Sequence, residues 1–277
     1  MVGGIISKAA NQCPVILLHY PAANYPAKTF TMNPQNTTQL LANYEHDGVV
    51  RVPHFLNTDE VAAVRAELDR YIRDDLAAQP VDARTFEKDE KTVRNLWRLE
   101  KYNEWFRQLG EREDIKAFIA PFVHGEPVLV GVETFSKPAR IGSGVPYHQD
   151  NAYFCQAPPD MLTVWIAIDA VTEANGPVFF VKGSHKDGML PTKPSGVRGN
   201  SIGMAEPSLV PLSEQFCGLL ESGDATIHQC ETTHHSAPNT TDFSRLGLLL
   251  VYRGKQTQTD PKLKEAYAAA VVATPPA

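Results

Sequence analysis

One histidine–aspartate pair and one pair of adjacent histidines have the side chains and the spacing to bind a transition metal. His148 and Asp150 are separated by one residue, and in a strand residues i and i+2 point to the same face. The pair alone is a common chance occurrence. A second segment offers a third ligand in His234 or His235, and His234 lies 86 residues beyond His148. The pattern therefore predicts a site of two histidines and one carboxylate.

Such a ligand set is typical of an open metal site. Two histidines and one carboxylate on one face of a metal leave positions for a cosubstrate and dioxygen, as in non-haem Fe(II) oxygenases. A structural zinc site is usually closed by four protein ligands, often cysteines. The four cysteines, Cys13, Cys155, Cys217 and Cys230, lie in unrelated segments and have no CxxC spacing. A structural zinc site is therefore disfavoured.

Arg245 adds a candidate anion-binding group. It lies eleven residues beyond His234 at the start of an apolar run. A guanidinium suits a bidentate grip on a carboxylate such as that of 2-oxoglutarate, and a buried charge otherwise has little reason to begin a strand. The alternative is a surface arginine that pairs with Asp242 or Glu231, and the spacing alone leaves both interpretations open.

These residues fall in the second half of the chain, where short apolar runs separated by Gly, Pro and Asn predict strands. The runs are Val128–Phe135, Leu162–Ile168, Val178–Val181, Ala225–His228 and Leu246–Tyr252. Many short strands with long irregular connections indicate a mainly β fold, a jelly roll (double-stranded β-helix) with its site at one open end. The connection 183–203, rich in Gly, Pro and Ser, is predicted to act as a lid.

Helices are predicted before this β core and packed on it. Asn57 and Glu60 have capping-box spacing, and apolar residues follow at helical intervals. The predicted stripe consists of Val61, Val64, Leu68, Ile72 and Leu76. We interpret residues 1–31 as a poorly ordered N-terminal extension, with Met32 as an alternative start of translation, and residues 32–277 as one catalytic domain.

The chain resembles the phytanoyl-CoA dioxygenase family between about Met32 and Arg253. The segments that carry the resemblance are residues 44–50 (YEHDGVV), 135–138 (FSKP), 148–150 (HQD), 165–169 (WIAID), 175–177 (NGP), 183–185 (GSH) and 234–245. In this order and at these spacings the set is specific to that family.

The resemblance also selects between the two histidines. The family pattern places a serine, an asparagine and an arginine after the ligand histidine, and it maps onto His234, Ser236, Asn239 and Arg245. With His235 as the ligand, each offset would be one residue short. The resemblance therefore implies Fe(II) bound by His148, Asp150 and His234.

The same resemblance implies 2-oxoglutarate and dioxygen as cosubstrates. Arg245 would bind the distal carboxylate of 2-oxoglutarate, with Trp165 and Ser236 beside it. The implied reaction is hydroxylation of a C–H bond with release of succinate and carbon dioxide. Halogenation is disfavoured, because halogenating relatives usually lack the carboxylate ligand that Asp150 supplies. His228 is interpreted as a core group or a support for the metal ligands.

Specificity then depends on the walls of the pocket. Candidate substrate contacts are Tyr147, Asn151, Tyr153, Phe154 and Gln156 next to the metal motif, and Trp97, Arg98 and Arg140 further before it. This polar and aromatic mixture favours a small polar metabolite such as an amino acid derivative, a zwitterion or a phosphonate. The alternatives are an acyl-CoA or lipid-like substrate, or a non-oxidative jelly-roll metalloprotein or ligand-binding module.

Composition limits the partners. The net charge of −6 argues against a nucleic-acid groove, and no apolar run approaches the roughly 20 residues that span a bilayer. The cysteines suit a reducing compartment, so we expect a cytoplasmic protein with a small-molecule substrate. The oligomeric state is left open by the sequence.

Overall fold

The computed structural model describes residues 34–197, 199–209 and 214–273. The N-terminal extension predicted for residues 1–31 lies outside these ranges. Among the described residues, seven α-helices are assigned: α1 Pro34–Asp47, α2 Thr58–Arg70, α3 Leu99–Tyr102, α4 Glu104–Gly110, α5 Glu113–Ile119, α6 Asn151–Phe154 and α7 Pro261–Ala273.

Two antiparallel sheets form the jelly-roll core that the sequence predicts. The strands are β1 Val49–Val52, β2 Arg84–Phe86, β3 Val93–Leu96, β4 Pro127–Lys137, β5 Val145–His148, β6 Gln156–Ala157, β7 Met161–Ala167, β8 Val178–Val181, β9 Thr192–Val197, β10 Asn200–Met204, β11 Gln215–Cys217, β12 Ala225–Gln229, β13 His234–Ser236, β14 Arg245–Gly254 and β15 Gln258–Thr259. The larger sheet has the order β1-β12-β7-β14-β4-β3-β2, and the smaller one β11-β8-β13-β5. The sheets face each other, since the ring of Phe180 on β8 lies 4.9 Å from that of His228 on β12.

Both faces of the larger sheet are covered. Along β7 the alternate residues Leu162, Val164 and Ile166 pack outward into the main hydrophobic core, which also contains side chains of α2, α4 and α5. The residues between them, Thr163 and Trp165, face the interior of the jelly roll and line a cavity. Alternation along a strand thus separates a structural face from a functional face.

Helix α2 begins as its capping box predicts. The Asn57 side chain accepts a hydrogen bond from the Glu60 amide, and the Glu60 carboxylate accepts one from the Asn57 amide, at 3.0 and 2.8 Å. These bonds satisfy amide groups that have no partner within the first helical turn.

The predicted apolar stripe is wrong at Ile72, whose surface is 41% exposed. The helix widens into a π turn at Tyr71–Asp75, in which the amide of Leu76 bonds to the carbonyl of Tyr71. This five-residue spacing places Tyr71 and Leu76 on the buried side and turns Ile72 outward.

The open end of the jelly roll is bordered by two elements. The connection predicted as a lid contains the β9–β10 hairpin, and Val197, Gly199 and Asn200 of this hairpin line the cavity. Helix α7, which the sequence patterns did not indicate, contributes Tyr267 and Val271 to the same lining. None of the described helices is long and apolar enough to cross a membrane.

Candidate active site

His148, Asp150 and His234 converge at one end of the cavity. The Nε2 atoms of His148 and His234 lie 3.6 and 3.5 Å from Oδ1 of Asp150. One ligand atom from each of the three side chains lies within 4.8 Å of the others. The separation is suited to a single ion between them, because metal–nitrogen and metal–oxygen bonds are about 2 Å long.

Asp150 does not lie in the same strand as His148, although the spacing of the two residues predicted that it would. His148 is the last residue of β5, but Asp150 has helical backbone angles and precedes α6. Its side chain therefore meets His148 across a turn and not by strand alternation. His234 approaches from β13, directly opposite His148 in the register of the smaller sheet.

Backbone carbonyl groups orient both imidazoles. Nδ1 of His148 lies 2.9 Å from the Pro146 carbonyl oxygen, and Nδ1 of His234 lies 2.9 Å from that of Thr232. A carbonyl accepts only, so each Nδ1 donates its proton and each neutral ring keeps a lone pair on Nε2. Both rings are therefore prepared to coordinate a metal through the nitrogen that faces Asp150.

The second oxygen of Asp150 is held by two partners. Thr163 Oγ1 donates to Oδ2 at 2.9 Å, and His228 Nε2 lies 3.1 Å from the same atom. Thr163 and His228 are register partners on β7 and β12, so the larger sheet fixes both. These bonds leave Oδ1 directed at the histidines.

The electrostatics of the site suit a metal. Burial alone would raise the pKa of Asp150, but its imidazole neighbours His234, His148 and His228 hold it well below the ordinary value. Burial and the neighbouring His148 lower the pKa of His234 well below its ordinary value. An ionised carboxylate and a neutral imidazole are the forms that bind a cation.

Arg245 is buried beside this group, with 2% of its surface exposed. Nη2 donates to the Gly176 carbonyl at 2.7 Å, whereas Nε is buried without a hydrogen-bond partner among the described residues. The surface alternative is wrong, because Asp242 pairs with Arg140 and Glu231 accepts a bond from Asn151. Burial lowers the pKa of Arg245 to about 9.

A buried guanidinium nitrogen without an acceptor among the described residues, beside a cavity, is a candidate position for an anion. The guanidinium carbon lies 4.9 Å from the ring centre of Trp165, and Ser236 lines the same cavity. The residues that the family pattern relates to 2-oxoglutarate are thus brought together. A dicarboxylate would supply the acceptor that Arg245 Nε lacks.

Gly247 makes room for the tryptophan. A Cβ at Gly247 would stand 2.1 Å from Cζ2 of Trp165, far inside contact distance. The absence of a side chain at Gly247 therefore lets the indole of Trp165 pack against β14 beside Arg245.

Lys137 is a cavity residue whose role the motif analysis did not predict. Its Nζ donates to the carbonyls of Ser143 and Ala237, both at 2.7 Å. Burial, followed by the charges of Arg245 and Arg94, lowers the pKa of Lys137 to about 6. Lys137 lies opposite Arg245 in the β4–β14 register, so this end of the cavity holds a guanidinium and an amine whose charged form a bound anion would favour.

The cavity has a volume of about 640 Å³. Of the residues predicted to contact substrate, Tyr153, Phe154, Trp97 and Arg98 line it. Four of the predicted substrate contacts do not line the cavity: Tyr147, Asn151, Gln156 and Arg140.

These four residues have other contacts. The ring of Tyr147 packs on His235 at 4.0 Å, and Asn151 bonds to Gln156 and Glu231. Arg140 is an exposed residue that pairs with Asp242. The lining residues that motif analysis missed include Glu133, Arg94 and Tyr267. The sequence contained a signal for Glu133, because Glu133, Phe135 and Lys137 are alternate residues of one strand, β4, and therefore point to the same face.

Comparisons with known proteins agree with this geometry. The family model for phytanoyl-CoA dioxygenase (PhyH) matches residues 44–247. The ectoine dioxygenase of Streptomyces avermitilis is 30% identical over 241 residues, which cover 80% of each chain. The crystal structure of EctD from S. alaskensis with 2-oxoglutarate and 5-hydroxyectoine has a TM-score of 0.67 at 18% identity, over 80% of this chain and 76% of that one. The crystal structure of the epimerase SnoN in complex with Fe3+, alpha ketoglutarate and nogalamycin RO has a TM-score of 0.65 at 24% identity. The match covers 83% of this chain and 88% of the SnoN chain.

Proposed function

The chain belongs to the phytanoyl-CoA dioxygenase family, and from this membership we propose that it hydroxylates a C–H bond of a small polar metabolite with Fe(II), 2-oxoglutarate and dioxygen. Succinate and carbon dioxide are the products of the cosubstrate. The observation that carries the proposal is the convergence of His148, Asp150 and His234 in a cavity that is also lined by Arg245, whose Nε has no hydrogen-bond partner among the described residues.

We assign the metal to His148, Asp150 and His234. A three-ligand site leaves positions for cosubstrate and dioxygen, and a bound Fe(II) would supply the activation of dioxygen that hydroxylation of a C–H bond requires. The protein's contribution is to orient the ligands. Thr163 and His228 hold Asp150, and carbonyl groups fix the ring nitrogens of the two histidines.

We assign the distal carboxylate of 2-oxoglutarate to Arg245, with Trp165 and Ser236 beside it. A guanidinium holds a carboxylate by two parallel hydrogen bonds, which fix direction as well as position. Lys137 lies opposite Arg245 at the same end of the cavity, and a bound carboxylate would favour the protonated form of its amine. Trp165 covers one side of the guanidinium and limits the access of water to this contact.

The volume and lining of the cavity support a small polar substrate. A volume of about 640 Å³ lies within the usual range of roughly 300–1,000 Å³ for small-molecule sites. The rings of Trp97 and Phe135 meet edge to face at 5.3 Å on one wall, where Arg98 and Glu133 supply charge. An amino acid derivative or a zwitterion fits this mixture better than a long acyl chain.

We also propose a cytoplasmic location and a single catalytic domain. The three cysteines among the described residues, Cys155, Cys217 and Cys230, are free, which suits a reducing compartment.

Anaerobic titration of the Fe(II)-loaded protein with 2-oxoglutarate tests the proposal. A weak visible charge-transfer band should appear in the wild type. Arg245→Gln should weaken 2-oxoglutarate binding by about tenfold to a hundredfold, which is the loss of a charge-assisted contact. Arg140→Gln is the matched control, because Arg140 is exposed and lies outside the cavity lining.

Two results would contradict the assignment. A protein that binds iron stoichiometrically but shows no band would be a non-oxidative metalloprotein. If Arg245→Gln and Arg140→Gln weaken 2-oxoglutarate binding equally, the loss of affinity results from the change in net charge and not from a contact with Arg245.

A further inference from the structure

Glu133 is a carboxyl group placed inside the cavity by strand alternation. It lies on β4 opposite Leu249 of β14, and its neighbours on the same face, Phe135 and Lys137, also line the cavity. The carboxyl extends over Gly131, since Oε1 stands 3.4 Å from the position of a Cβ at that glycine.

Glu133 differs from the other acids of the cavity lining in having no partner among the described residues. Asp82 forms an ion pair with Arg98 at 2.6 Å, and Asp150 is held by Thr163 and His228. Within the described part of the chain, Glu133 forms neither a hydrogen bond nor an ion pair.

The surroundings of Glu133 favour a cation. Burial, followed by the negative charges of Asp150 and Glu100, raises the pKa of Glu133 to about 8, and Arg98 opposes this only in part. A carboxyl group kept without a counterion in a cavity costs stability, and such costs are concentrated at functional sites. A positively charged ligand group would remove that cost on binding.

Glu133 lies away from the proposed 2-oxoglutarate site and therefore faces the part of the cavity that is left for the substrate. Arg245 and Lys137 lie opposite each other at one end of the β4–β14 pair, where 2-oxoglutarate is assigned. Glu133 pairs with Leu249, four pairs further along and beyond the pair of Phe135 and Gly247. The ring of Phe135 and the edge-packed ring of Trp97 offer an apolar wall near it.

We propose that Glu133 binds a positively charged nitrogen of the substrate, so that the substrate is a protonated amine, an amidinium or a guanidinium compound. The inference rests on the function proposed above and narrows its substrate class, because a purely anionic phosphonate would be repelled by this carboxylate. The rings of Trp97 and Phe135 would pack against the apolar part of such a substrate. Glu133 is in this view the residue that determines specificity.

A matched pair of probes tests the charge requirement. Binding of benzamidinium and of neutral benzamide to the Fe(II)–2-oxoglutarate protein is measured by anaerobic calorimetry at pH 8.5, where most of Glu133 is ionised and benzamidinium remains protonated. The wild type should bind benzamidinium about tenfold to a hundredfold more tightly than benzamide, as a charge-assisted hydrogen bond predicts.

Variants of Glu133 locate the effect. Glu133→Gln preserves the shape and should abolish the preference, whereas Glu133→Asp should retain part of it. Glu265→Gln, an exposed change on α7, should leave the preference unchanged. A wild type that shows no preference, including one that binds neither probe, overturns the proposal, and so does a preference that survives in Glu133→Gln.

The outcome can be separated from that of the proposed function. The 2-oxoglutarate band is recorded on the same samples before the probes are added. A normal band without a benzamidinium preference refutes the role of Glu133 alone. An absent band with a preference that depends on Glu133 refutes the cosubstrate assignment and leaves the cation site standing.

Discussion

Replacing Glu133 by glutamine should make the protein more stable, and the gain should depend on pH. The folded state raises the pKa of Glu133 from 4.5 to about 8 through burial and the charges of Asp150 and Glu100. A raised carboxyl pKa means that the folded state favours the protonated form. The wild type therefore loses stability as the pH rises from 4.5 to about 8, whereas the amide of the Glu133→Gln variant does not titrate.

The size of the effect follows from that interval. At about 1.36 kcal/mol per pH unit, the interval from 4.5 to about 8 corresponds to roughly 5 kcal/mol as an upper limit. Glu133 is only partly shielded, and water in the cavity screens its charge, so we expect about 1–3 kcal/mol. For a chain of this size, that is a rise in Tm of roughly 2–10 °C above pH 8.

Denaturant unfolding of the metal-free protein between pH 5.5 and 9 measures the difference. Metal is removed because a cation at Asp150 would change the field at Glu133. The stability gain of Glu133→Gln should be smallest at pH 5.5 and level off above pH 8, while Glu265→Gln should show no such trend. A gain that does not vary with pH, or a loss of stability at pH 9, would refute the reasoning.

Three further substitutions test separate parts of the structure. Gly247→Ala should displace Trp165, with a loss of about 1–3 kcal/mol in unfolding free energy and a higher KM for 2-oxoglutarate, measured by denaturation and succinate release. Thr163→Val should weaken Fe(II) binding by about 10–100-fold in a chelator competition, because Asp150 loses an orienting hydrogen bond; unchanged affinity would contradict this. Asn57→Ala should cost about 1 kcal/mol of stability through loss of the cap and leave kcat unchanged.

Local signals predicted the features that local contacts determine. The capping box at Asn57 and Glu60 was predictable because both of its bonds lie within four residues. The outward turn of Ile72 was not, because it depends on a π turn whose widened spacing lets Tyr71 and Leu76 pack into the core. A helical period assumes a constant turn and contains no information about such a change.

The candidate site shows the same division. Arg245 could be identified from the sequence, because burying a guanidinium at the start of an apolar strand is unfavourable unless the guanidinium binds an anion. Asn151 follows the metal motif directly but does not reach the cavity lining, since α6 directs its side chain to Glu231. Proximity to a motif in sequence is therefore a poor guide to the cavity wall. The position of Glu133 depends on which face of β4 is inward, and that is decided by pairing with a strand more than 100 residues away.

The distance between Glu133 and Lys137 along β4 predicts how a change at Glu133 affects the affinity for 2-oxoglutarate. Glu133 and Lys137 are four residues apart, so their Cα atoms are separated by roughly 13 Å. At that distance an attraction of about 0.3–1.3 kcal/mol is expected for effective dielectric constants between 80 and 20. This coupling is too weak to make Lys137 the partner of Glu133, so Glu133 remains available to a cationic ligand. Glu133→Gln should accordingly tighten 2-oxoglutarate binding by less than about tenfold, while it abolishes the preference for a cationic probe. A much larger change in 2-oxoglutarate affinity would place Glu133 at the cosubstrate and not at the substrate.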